Sequence, residues 1–237
     1  MKKKYIVSAI AALVLVGGIV TYTALGDYMG NNIEVESVMD RTETAATAGE
    51  ESSEETATAP VSAEEVNGNW EIASGSKVYW SVTTSKETVN FVNEGVTGTW
   101  TVDVNNPEAT AGEGIVDMNV LDSGNSQRDS HVKERTDLLQ IAEFPEAKFV
   151  TNSFSELPTE WTNGTAVPVT IEGTLTVKGI EKNVVFESEV MYQDGQLLLS
   201  GETVVTFADF GMQSPHAIVL ETENELTVQL ELVLEKS

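Results

Sequence analysis

The chain has 237 residues and no cysteine, with 38 acidic against 13 basic residues and a formal charge of −25. Without cysteine it has no disulfides, thiolate metal ligands or thiol nucleophiles, and a surface this negative repels phosphate backbones, which excludes nucleic acid as a partner. The length allows one ordinary domain with appendages, or two small ones.

Lys2, Lys3 and Lys4 precede an uncharged run over residues 5–25. As a helix rising 1.5 Å per residue this run spans about 30 Å, the thickness of a bilayer core. Its end lacks an Ala-x-Ala cleavage pattern. The expectation is an uncleaved membrane anchor over residues 1–26, with the lysines in the cytoplasm and the rest exported to the periplasm or cell surface. The alternative is a signal segment whose cleavage releases a secreted product.

Residues 27–69 hold 11 acidic residues, one basic residue (Arg41) and one aromatic, Tyr28. Such a stretch buries too little apolar area to offset the entropy of ordering, so it is predicted to be a flexible acidic linker with a mean span of roughly 35 Å.

From Trp70 the pattern alternates with period two. Candidate strands run through Val78-Trp80-Val82, Val89-Phe91, Trp100-Val102-Val104 and Val116-Met118-Val120, then over residues 149–154. Clearer ones follow at Val167 to Val177, Val184 to Tyr192, Leu197 to Phe207 and Leu226 to Leu234, the last broken only by Val233. Alternation of this kind is the habit of antiparallel strands with one buried face. Asp194-Gly195 supplies a tight hairpin turn. About eight such strands predict an all-β domain over residues 70–237, a barrel or a sandwich.

One stretch departs from this pattern. Over residues 126–141 the side chains of Val132, Arg135, Leu138 and Leu139 fall on one helical face, with Ser126 and Asp129 as a capping start and Pro145 beyond the end. This inserted helix gathers Arg128, His131, Lys133 and Arg135, with Lys148 close behind.

Three blocks stand out in order: Asn125-Ser-Gln-Arg128-Asp129-Ser-His131-Val132 with Asp137-Leu-Leu and Phe144-Pro145-Glu-Ala-Lys-Phe149, then Gly173-Thr-Leu-Thr-Val-Lys-Gly179-Ile180-Glu-Lys182-Asn-Val184, then Ala208-Asp209-Phe210-Gly211-Met212. Together they resemble the YceI-like family of polyisoprenoid-binding proteins, whose first block reads Arg-Asp-x-His-Leu, Asp-Phe-Phe and Tyr-Pro-x-x-x-Phe and whose other two blocks follow in the same order. The resemblance implies an extended, lipocalin-like antiparallel barrel of eight strands that holds a long isoprenoid chain and has no catalytic role. Glu181 and Asn183 depart from the family's Thr and Pro, and Phe207 stands where members often carry arginine.

The expected function is therefore non-catalytic binding of an isoprenoid lipid or quinone, for storage, shielding or transport, with no cofactor and no metal. Inward alternation nominates Val116, Met118, Val120, Val169, Ile171, Val190, Leu197, Leu199 and Val205 for the apolar tail. Arg128, Lys133 and Arg135 are nominated for a polar head, because arginine forks match phosphate oxygens; tying the helix to the barrel wall is the competing role. Gly173 and Gly201 interrupt inward rows, either to open space for ligand or to bend the strands. The two histidines, His131 and His216, sit in no metal-ligand spacing, and no nucleophile or nucleotide motif occurs. Asn163-Gly-Thr165 matches a glycosylation acceptor and is otherwise turn material. Two other readings stay open: an interaction module whose barrel is filled by its own side chains, and an envelope enzyme acting on an isoprenoid or glycan. A homodimer is open as well.

Overall fold

The structure is a computed structural model that describes residue 30 and residues 33–40, 60–85, 87–214 and 222–237. The expected anchor at residues 5–25 and His216 lie outside the described residues. No described helix is long and apolar enough to cross a membrane.

The strands are β1 (Pro60–Val61), β2 (Gly68–Ile72), β3 (Lys77–Thr84), β4 (Thr88–Asn93), β5 (Val96–Val102), β6 (Ala111–Asp117), β7 (Glu146–Phe154), β8 (Trp161–Thr162), β9 (Ala166–Val177), β10 (Ile180–Gln193), β11 (Gln196–Thr206) and β12 (Thr222–Lys236). Two short α-helices, α1 (Ala63–Val66) and α2 (Ser126–Glu134), accompany them.

Both β2 and β3 pair with one edge of β12, in registers Lys236↔Trp70 and Glu231↔Lys77, so they are two halves of one interrupted strand. β4 and β5 pair with β3 and β2 in turn and form a second interrupted strand. Counted so, the large sheet is a ring of eight antiparallel strands, closed where β11 pairs with β12 from Gln196↔Glu235 to Thr206↔Glu225. Closure removes the unpaired sheet edges that would invite aggregation. β1 and β8 form a separate two-stranded sheet.

Two tight hairpins drive the C-terminal half. Asp194 and Gly195 have φ of 50° and 88°, and Lys178 and Gly179 have φ of 52° and 71°. These left-handed pairs match the twist of the strands they join, β10–β11 and β9–β10.

Three expectations need correction. The inserted helix stops at Glu134 instead of continuing to residue 141, because Arg135 turns extended (φ −69°, ψ 136°) and a pair of tighter turns follows. Its cap is Asn125, whose side chain accepts from Arg128 N at 3.1 Å, and not Ser126. The strand through Val116 ends at Asp117, whose carboxylate accepts from Asn119 N at 2.9 Å and starts a 3-10 turn over Met118–Val120.

Inside the span expected to be a flexible linker, residues 33–40 and 60–66 are structured. Residues 33–40 lie on the outer wall, where Val38 is packed with Met191, Leu198 and Val233. This explains why Leu197-Leu198-Leu199 and Leu232-Val233-Leu234 break alternation: their middle residues face outward, under a cover.

Candidate functional site

The inner face of the ring is apolar along its length. Val169, Ile171, Val190, Leu197, Leu199, Val205 and Val116 are all buried in one core with Trp80, Trp100, Phe149 and Phe186. Met118 is buried there too, delivered by the 3-10 turn at one barrel end. Val120 is not: it is 49% exposed, because the turn points it outward, and it lines an acid-rich groove of about 390 Å³ on the outer wall with Glu34, Glu36, Glu94 and Asp122.

At the centre of the interior is a cavity of about 30 Å³. Ligand pockets usually measure about 300–1,000 Å³, so this space is the remainder of a filled barrel. Of the nine residues nominated for the tail only Val116 lines it; the other walls include Trp80, Trp100, Gly114, Phe149, Phe186 and Leu230. The aromatic residues are the ones that sequence reasoning missed as site residues. Their inward positions in the alternation marked them for the core, and their size lets them fill the tube.

The aromatic rings interlock. Phe149 meets Phe186 edge-on at 5.0 Å, and Trp100 meets Phe154 at 5.9 Å. The inward glycines make room for these rings. A Cβ on Gly173 would lie 2.3 Å from the Phe149 ring, and one on Gly112 would lie 2.5 Å from Trp100. Gly201 accommodates the Ser188 side chain in the same way. Thus Gly173 and Gly201 serve the protein's own side chains.

Within this apolar interior three polar atoms are buried without a partner among the described residues: Trp80 Nε1, Trp100 Nε1 and Ser188 Oγ. Each such group costs about 1–3 kcal/mol. The remaining two tryptophans are paired, Trp70 Nε1 donating to Val66 O at 2.9 Å and Trp161 Nε1 to Pro158 O at 2.7 Å. An acceptor oxygen brought into the cavity would have the two unpaired indoles in its walls.

The basic residues nominated for a polar head are at the end capped by α2, and none lines the cavity. Arg128 is buried and donates from Nε to Ser123 Oγ at 2.9 Å, from Nη2 to Ser123 O at 2.9 Å and from Nη1 to Gly30 O at 2.7 Å. Asp129 accepts from Ser123 N at 3.0 Å; burial pushes its carboxyl up, opposed by the Ser123 bonds. These contacts fasten the helix to the wall. Lys133 donates to Asn119 O at 2.7 Å, and Arg135 pairs with Asp137, holding that carboxyl below its usual range. His131 Nε2 lies 3.1 Å from Arg135 Nη1.

The block around Asp209 is structural as well. Lys182 Nζ donates to Asp209 Oδ1 at 2.6 Å and, with Thr206, keeps that carboxyl below the ordinary range. Phe207, a departure from the family pattern noted above, is buried in the core.

Comparison with known proteins places this barrel. The model of the YceI-like domain matches residues 70–234. Protein YceI of Salmonella arizonae is 31% identical over 96 residues, 40% of this chain and 46% of that protein, so the match spans under half of the curated relative. Among solved structures, BcnA of Burkholderia cenocepacia superposes with a TM-score of 0.57 at 17% identity, covering 67% of this chain and 95% of that one. A polyisoprenoid binding domain from Saccharophagus degradans, implicated in plant cell wall breakdown, gives 0.57 at 13% identity, covering 72% and 99%. At these identities the structural likeness shows the fold alone.

Proposed function

Since this chain belongs to the YceI-like domain family, we propose that its barrel binds a hydrophobic polyisoprenoid-type lipid, such as a quinone or prenyl phosphate, without transforming it. The observation that carries this reading is the interior: an apolar tube with a residual cavity walled by Trp80 and Trp100, whose buried N–H groups lack acceptors among the described residues. Burying an isoprenoid tail there gains about 25 cal/mol per Å² before ordering costs. A guest that size displaces the Trp80, Trp100, Phe149 and Phe186 rings, so binding selects an opened state of the barrel. The Saccharophagus domain of the same fold, described as polyisoprenoid binding, supports this choice of ligand class.

The lipid is held for storage, shielding or delivery outside the cytoplasm, with residues 5–25 anchoring the chain in the membrane. Protease added to intact spheroplasts is expected to release the barrel; cleavage only after lysis would refute this topology.

The size of the cavity, about 30 Å³, favours a second reading, an interaction module whose filled barrel acts through its acidic surface. Native mass spectrometry of the full chain purified from its own membrane separates the two. A co-purifying prenyl lipid is the expected result; a ligand-free protein that also takes up no added quinone would overturn lipid binding in favour of the module.

A further inference from the structure

Residues 33–40 run along the outer wall in a defined direction. Gly30 O accepts from Arg128 at the α2 end of the barrel. Ile33 O accepts from Asn90 of β4 at 2.9 Å, and Glu36 N donates to the Tyr79 hydroxyl of β3 at 3.2 Å. Lys77 Nζ pairs with Glu36 at 2.8 Å. Farther down, Val38 N and Ser37 Oγ donate to Glu231 at 2.7 and 3.2 Å, and Val38, 1% exposed, enters the outer apolar cluster. Toward its N-terminus, therefore, the chain leaves the barrel at the α2 end.

Only residues 26–30 separate the apolar run ending at Leu25 from the Gly30 contact. Five residues reach at most about 18 Å. Resting on the anchor reading above, we infer that the contacts of Gly30 and of residues 33–40 act as a clamp that holds the α2 end of the barrel against the bilayer, in place of a long free tether. The opposite end, at the β5–β6 connection, then stands roughly 35 Å farther out, given the fourteen residues of β10 and the usual strand rise and tilt.

The surface at the α2 end exposes Ile180, at 40%. Charge does not select its partner: Arg135 and Lys182 are paired with Asp137 and Asp209, and Glu134, Glu143, Glu146 and Glu181 lie beside Lys133 and Lys178. The short chain before Gly30 is what selects the bilayer. A lipid leaving the membrane meets the α2 end first.

Because the chain has no cysteine, single labels test this directly. Thr136→Cys marks the α2 end and Glu108→Cys the far end, each in the full chain reconstituted into phosphatidylcholine–phosphatidylglycerol vesicles that carry a headgroup quencher. The expected result is strong quenching at position 136 and little at 108. A flexible spacer of about twenty Gly/Ser residues inserted between Gly26 and Asp27 leaves every clamp contact in place and should abolish the quenching at 136 without changing the melting temperature. Equal quenching at both positions, in protein that floats with the vesicles, would overturn the clamp while leaving the anchor standing. Protein that fails to float with the vesicles would overturn the anchor and the clamp together.

Discussion

The two faces of the β10–β11–β12 wall treat polar groups in opposite ways. On the outer face Glu231 is fully buried, yet its carboxylate accepts from Val38 N, Ser37 Oγ, Ser200 Oγ at 2.7 Å and Gln229 Nε2 at 2.6 Å. On the inner face Ser188 Oγ is buried without a partner among the described residues, and so are Trp80 Nε1 on the adjoining β3 and Trp100 Nε1 on β5. Buried polar groups are paired as a rule. The satisfied face is a finished structural joint; on the proposed reading, the unsatisfied one is where a lipid oxygen would supply the missing acceptor.

The contrast can be broken most severely from the inside. Leu199→Asp places an unpaired charge in the apolar tube and should cost more than about 4 kcal/mol, seen as loss of the folding transition in urea. Breaking the outer joint should cost less. Glu231→Ala strands the Val38 amide, the Ser200 hydroxyl and the Gln229 amide, and a loss of about 2–4 kcal/mol is expected in urea unfolding. A loss under about 0.5 kcal/mol would mean that solvent replaces the carboxylate and that the joint is not tight.

The unpaired indoles behave in the opposite sense. Trp80→Phe removes an N–H that has no acceptor among the described residues, so the empty barrel should lose less stability than the missing ring volume alone implies. Affinity for an oxygen-bearing prenyl lipid should fall roughly five- to tenfold, the worth of one net hydrogen bond, while affinity for a hydrocarbon of equal length stays unchanged. Calorimetry with the two lipids distinguishes these outcomes. A smaller effect is expected at the α2 end: Lys133→Gln with Arg135→Gln should shift stability by less than about 1 kcal/mol, because these are surface groups.

The smallest effect is a pH dependence. The Lys182 ammonium, chiefly, holds the Asp209 carboxyl below the ordinary aspartate range. A folded pKa below the unfolded one gives stability that is present above about pH 4 and is lost as pH falls through the folded value. Lys182→Met should flatten that acid limb by a few tenths of a kcal/mol, measured by melting between pH 2 and 6. An unchanged limb would assign the acid sensitivity to other carboxylates.

Much of the barrel could be read in the sequence, because alternation and two-residue turns are local signals. Val167 to Val177 and Leu226 to Leu234 fall on β9 and β12, and Asp194-Gly195 is the β10–β11 turn. The family-like blocks were legible too, but their side chains secure joints: Arg128 and Asp129 bind Ser123, and Asp209 binds Lys182. Alternation carried the reading past Asp117 to Val120, since the Asp117–Asn119 bond that ends the strand leaves no mark in hydropathy. Residues 33–40 look like part of an acidic spacer because the segment is short and lies among acidic, Ala- and Thr-rich sequence, although Ile33, Val35, Val38 and Met39 are apolar. The signal for their docking lies far away in sequence, in the outward Leu198 and Val233 and in the burial of Glu231. Of the cavity wall only Val116 was nominated, because the wall's shape depends on how Trp80, Trp100, Phe149 and Phe186 pack across the tube.

The four tryptophans supply the most direct test of a lipid-filled interior. With indole nitrogens labelled with ¹⁵N, a prenyl quinone is titrated into the protein and the four N–H resonances are followed. The account predicts that Trp80 and Trp100 move as their N–H groups gain an acceptor, while Trp70 and Trp161, already bonded to Val66 O and Pro158 O, stay in place. A bound quinone that leaves Trp80 and Trp100 unmoved would contradict it.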